Sequence, residues 1–285
     1  MFDFDLDDRP AGAGLPPVAC PMIWEQPDVM RRSRALPRIL HGEDEPIFDA
    51  LPDSVLANLK MPASENAVLW NVLYPLSQPA IPLEKLLQVP YLWGTVNPSE
   101  DSLVPYFWGI GIQGQRMQGL DEELAVMDGP GPKTEVDLFL LGKRNLILVE
   151  GKNRSGPGQC SRWLHERCPA FHTPEDPACI YWSESPAFED LFRFSQPDPD
   201  DRVEEMPSCA RHYQLARTLL LAHRLGDRMG LKPSVWMFVP QRRWRSLSRG
   251  WRTFTDNVMD AALWRRMRVI SWEALQSLAG EAPPD

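Results

Sequence analysis

From Ser64 the apolar positions repeat at helical spacing. In "SENAVLWNVLYPL", Glu65, Leu69, Val72 and Leu76 share one face, and Ser64 is a plausible N-cap. "CARHYQLARTLLLAHRLGDRMG" carries the same period for longer and predicts a helix ended by Gly230. Between these stretches the pattern shortens to strand-like runs. "ELAVMD" reads as a short strand, "TEVDLFLLGKRNLILVEGK" as two strands around a polar turn, and "SVWMFVP" as a buried strand stopped by Pro240. "DNVMDAALWRRM" then reads as a helix, "RVISW" as a strand and "EALQSLA" as a final helix. The order is helix, up to three strands, helix, strand, helix, strand, helix. That is an α/β fold with a mixed central sheet flanked by helices.

Proline use divides the chain. Its 29 prolines are about twice the ordinary share and are dense up to Pro207; only Pro233 and Pro240 fall between Ser208 and Ala282. Residues 1–62 are expected to be a proline-rich N-terminal arm, with "MRRSRALPRIL" and "SVLANLK" as short helices. Residues 63–285 are expected to form the main domain, with an aperiodic insertion over about 154–207.

The paired strands carry the chemistry. With a turn over Gly142–Asn145, Leu141 faces Leu146, Asp137 faces Glu150 and Glu135 faces Lys152. All four polar side chains then lie on one face, with opposed Cβ atoms roughly 4.5–5.5 Å apart. Two adjacent carboxylates repel unless they share a cation, and a hard divalent ion such as Mg²⁺, with Mn²⁺ as a substitute, suits oxygen ligands. Lys152 on the same face could orient or deprotonate an attacking water, or neutralise charge on a phosphate. These are the parts for metal-assisted phosphodiester hydrolysis.

Net charge is -9, which argues against a general nucleic-acid coat, yet residues 241–268 hold eight arginines against two aspartates. In "QRRWRSLSRGWR", Arg242, Arg243 and Arg245 are candidate phosphate contacts, and Trp244 and Trp251 could stack on bases or belong to the core. No run is long enough to span a membrane, and "MFDFDLDDRP" has no signal-peptide character, so a cytoplasmic location is expected. Cys160, His165, Cys168 and His172, with Cys179 beyond, are zinc-ligand residue types at a spacing that matches no standard finger; ordinary thiols and surface histidines are the simpler reading.

Asp137, twelve intervening residues and then Glu150-Gly151-Lys152 resemble the signature of the PD-(D/E)XK nuclease superfamily, although Val136 stands where the name-giving proline would be. The resemblance implies a restriction-endonuclease-like αβββαβ core. It implies metal binding by Asp137, Glu150 and the Gly151 carbonyl, and a catalytic Lys152. It also implies a supporting acid at Glu65 on the first core helix, and Gln214 as a contact to the site or to substrate. The expected activity is Mg²⁺-dependent cleavage of nucleic acid, with DNA as the expected substrate. The alternative is an inactive nuclease fold that binds nucleic acid or protein. A homodimer or a protein partner is compatible with either.

Overall fold

The computed structural model describes residues 38–61, 64–77, 83–95, 100–129, 133, 135–173, 176–183, 187–198 and 205–280. The first helices among these are α1 (Ile47–Ala50), α2 (Asp53–Lys60) and α3 (Glu65–Leu76). Strands β1 (Val104–Phe107) and β2 (Ile110–Gly111) precede α4 (Leu120–Asp128), β3 (Leu138–Leu141) and β4 (Asn145–Gly151). Four single-turn helices follow: α5 (Ser161–Leu164), α6 (Ile180–Ser183), α7 (Phe188–Leu191) and α8 (Ser208–Arg211). The chain ends with α9 (Tyr213–Met229), β5 (Lys232–Val239), α10 (Gln241–Thr255), α11 (Ala261–Arg266), β6 (Arg268–Ser271) and α12 (Trp272–Ala279).

The strands form one six-stranded sheet in the order β2-β1-β3-β4-β5-β6. β1, β3 and β4 pair antiparallel, whereas β4, β5 and β6 pair parallel. Helices cover both faces, so this is the mixed α/β architecture the pattern predicted. Side-chain alternation sorts the core into two layers. Leu138, Leu140, Ile147 and Val149 pack with α1–α3 and α12, while Phe139, Leu146 and Leu148 pack with α4 and α9. The β3–β4 register is the predicted one, with Leu141 opposite Leu146 and Leu138 opposite Val149.

That register is held from a distance. "GKRN" is a weak turn sequence, and Asp101 supplies what it lacks. Its carboxylate accepts the N–H groups of Lys143, Arg144 and Asn145, and the Asn145 side-chain amide, all at 2.9 Å. Burial works against the charge, but these donors hold its pKa below the usual aspartate range.

Three expectations change. "ELAVMD" lies in α4 rather than in a strand, because Leu120, Leu124 and Met127 share a buried helical face and three acids open its first turn. The remaining core strand is β1, from the aromatic-rich stretch that periodicity left unassigned. Residues 38–61 also pack into the main core: Ile47, Val55 and Leu59 are buried with α3, and Trp70 Nε1 donates to the His41 carbonyl at 2.9 Å. "SVLANLK" is the predicted short helix, whereas "MRRSRALPRIL" lies largely outside the described residues.

Asp101→Ala removes the acceptor for three turn N–H groups. It is expected to lower stability by roughly 2 kcal/mol in urea denaturation, where an unchanged midpoint would refute Asp101's hold on the register.

Candidate active site

Asp137 immediately precedes β3, and Glu150 lies near the end of β4. The Glu150 side chain faces the layer that contains α9. Glu150 is completely buried and Lys152 nearly so, while Asp137 is half-buried. Each Glu150 oxygen has a partner. Oε1 accepts from Thr218 Oγ1 at 2.7 Å, and Oε2 accepts from Gln214 Nε2 at 2.7 Å and lies 3.5 Å from Lys152 Nζ. Gln214 and Thr218 are one helical turn apart on α9, so both present to the same strand end. Asp137 Oδ2 accepts the Gly151 N–H at 2.7 Å, tying the two strand ends together.

Gly151 is flanked by an indole. A Cβ there would lie 3.3 Å from Trp272 Cζ2, and Trp272 Nε1 donates to the Lys152 carbonyl at 3.0 Å. The aromatic floor on α12 thus fixes the backbone that aims Lys152.

Glu65 reaches the site from the opposite layer. Its Oε1 accepts the N–H groups of Asn153, Arg154 and Ser155 at 2.7, 3.1 and 3.2 Å, and the Ser155 hydroxyl at 2.9 Å. It therefore clamps the loop after Lys152 through one oxygen, so any part in holding a metal falls to Oε2. Arg243 grips the same loop, donating to the carbonyls of Asn153 and Ser155 at 3.2 and 3.3 Å.

The electrostatics follow from burial and crowding. Burial, followed by repulsion from Asp137, pushes Glu150 up to about 7, with Lys152 and Thr218 pulling the other way. Asp137 is also raised, chiefly by burial, against the pull of Lys152 and the Gly151 N–H. Burial alone would lower Lys152, but Glu150, Asp137 and Glu65 raise it, so its ammonium stays charged. Glu65 lies below the usual glutamate range because the Asn153 N–H and Lys152 outweigh its burial.

Asp137, Glu150, Lys152, Glu65 and Gln214 thus meet in one place. Lys152 pairs with Glu150 rather than Glu135, which is exposed and adds negative potential beside Asp137. Arg242 and Arg245 are exposed on α10, and Arg243 is partly spent on the loop. Trp251 is buried and Trp244 packs against the core, which removes Trp251 as a stacking platform. Thr218, Ser155 and Trp272 escaped the sequence reading; only Thr218, four residues after Gln214 on the same helix face, left a usable signal. Among the described residues no group of three or more His, Cys, Asp or Glu stands ready to hold a metal. A cation here would take two or three carboxylate oxygens and keep waters.

The model of the family described as Restriction Endonuclease associating with ARP matches residues 63–284. No curated protein and no solved structure matches the chain.

Glu150 gives the fold a pH signature. The folded chain keeps this proton up to about pH 7, whereas the ordinary value is 4.5, so stability falls as pH rises between them. In EDTA the loss is on the order of 3 kcal/mol. Urea denaturation at about pH 5.5 and 8 should show it in wild type and a flattened dependence in Glu150→Gln; equal slopes would rule Glu150 out as the source.

Proposed function

Because the chain belongs to the family of restriction endonucleases associating with ARP, we propose that it is a Mg²⁺-dependent nuclease of the PD-(D/E)XK type that hydrolyses phosphodiester bonds in DNA. The observation that carries this reading is the convergence of Asp137, buried Glu150 and Lys152 at adjoining strand ends. The donor set fits a hard divalent cation. Two crowded carboxylates, one pushed up to about 7, are relieved when they share positive charge.

Asp137 and Glu150 would hold the ion, with the Gly151 carbonyl and Glu65 Oε2 as further oxygen donors. When bound, a divalent ion polarises the phosphate and lowers the pKa of a coordinated water. Lys152, kept protonated by its carboxylate neighbours, donates to the attacking water and to the phosphate oxygen that gains charge. Gln214 and Thr218 fix both Glu150 oxygens, so the carboxylate needs no reorganisation on loading. Glu65 and Arg243 hold the loop that keeps Lys152 in place. Arg242 and Arg245, free to face solvent on α10, are the proposed contacts to DNA phosphates. The family's description also names association with ARP, so a protein partner belongs to the proposal.

Asp137→Ala and Lys152→Ala are each expected to lower metal-dependent cleavage of a DNA panel by at least about 100-fold while the proteins stay folded. No cutting of any substrate by wild type, together with no Mg²⁺ or Mn²⁺ binding, would favour a binding module that kept the fold. Thr218→Val keeps the side-chain shape and removes the donor to Glu150. Cleavage near neutral pH should fall about tenfold, with the activity profile displaced to higher pH. An unshifted profile would leave Thr218 without a part in tuning Glu150.

A further inference from the structure

A second cluster lies beyond the carboxylate site. Cys160, Cys168, Cys179 and Cys209 are free thiols, and all four line one small apolar cavity of about 30 Å³. The remaining cysteine, Cys20, lies outside the described residues. Neither His165 nor His172 lines the cavity, so the structure gathers cysteines where spacing had suggested a mixed set. The His172 ring instead packs on Trp163 and accepts the Cys168 N–H through Nδ1.

Among the described residues around the cavity, regular structure amounts to the single-turn helices α5 to α8 and the first residue of α9. Main-chain bonds nevertheless bring the thiols together. Cys160 N–H donates to the Ala210 carbonyl at 2.9 Å, which sets the first cysteine beside the last. The Cys168 carbonyl accepts from Phe171, His172 and Thr173, closing a tight turn after that cysteine. The main-chain amides of Ala170 and Phe171 near Cys168, and of Tyr181 near Cys179, work against the rise in thiol pKa. Such donors favour thiolate over thiol. Burial pulls the other way and raises Cys168, Cys179 and Cys209, the last to about 12.

We propose that Cys160, Cys168, Cys179 and Cys209 form a tetrathiolate site for a single zinc ion, which staples the insertion to the start of α8. The cavity has room for one ion, and four cysteine sulfurs are a standard closed set for structural zinc. The sulfurs do not stand in a ready-made cage, so binding draws them inward over the cavity. Zinc replaces the four thiol protons, which pass to solvent, and affinity therefore rises with pH. Cys209 sits just before α9, and Gly158 N–H donates to Gln214 Oε1 at 2.7 Å. The staple would thus steady the helix that holds Glu150.

The test is the metal content of the full chain purified under reducing, oxygen-free conditions, with thiol reactivity measured before and after chelation. About one zinc per chain is expected in wild type and in Cys20→Ser, falling about tenfold in Cys168→Ser/Cys179→Ser. A chelator should expose four thiols that were protected before it was added. Should the double variant fail to fold, zinc content and chelator-released thiols in wild type still decide the matter. Substoichiometric zinc with all four thiols reactive in the native chain would overturn the proposal, and so would iron and sulfide in place of zinc.

Discussion

Everything at the candidate site turns on a carboxylate that has been taken out of water. Glu150 has no exposed surface, and a charge in that position is tolerable only where partners replace its hydration. Thr218 and Gln214 occupy its two oxygens and Lys152 supplies the countercharge, but Asp137 nearby undoes part of that relief. On the proposed reading, one more cation would relieve what remains of the repulsion. The crowding is local, and a perturbed carboxylate of this kind is what the proposed chemistry would use.

The sheet makes this arrangement reachable. Antiparallel pairing of β3 and β4 brings Asp137 beside Glu150, and parallel pairing with β5 places α9 over the same face. The opposite layer contributes differently. Glu65 on α3 and Trp272 on α12 make no bond to the Glu150 carboxylate; both grip the peptide that joins Lys152 to Asn153. One layer thus sets the carboxylate and the other sets the lysine, with Arg243 on α10 bracing the loop between them.

Much of this was legible in the residues. The register was inferred by placing the turn over Gly142–Asn145, and the pairing of β3 with β4 bears it out; two apolar faces alone would not have forced it. Glu65 and Gln214 came from the family resemblance, which could be mapped because each lies on a helix whose period was plain. What stayed hidden depends on long-range contacts. Asp101 lies 44 residues from Asn145, whose turn it builds, and the Trp272 indole reaches back 120 residues to the Lys152 carbonyl. The misread α4 shows the other limit: "ELAVMD" is short enough to suit either period, and its acidic first turn decided the outcome. The sequence left Trp251 open between a stacking platform and the core; its indole is in the core, while Arg242 and Arg245 on the same helix meet solvent.

The central claim is that Asp137 and Glu150 together hold a divalent cation, and Mn²⁺ binding to the full chain tests it most directly. Calorimetric titration of wild type and Asp137→Asn at about pH 6 and 8 would suffice. The account predicts binding in wild type that tightens with pH, accompanied by proton release at the lower pH as Glu150 ionises, and loss of that binding in the variant. Equal Mn²⁺ affinity in the two proteins, or no pH dependence in wild type, would contradict it.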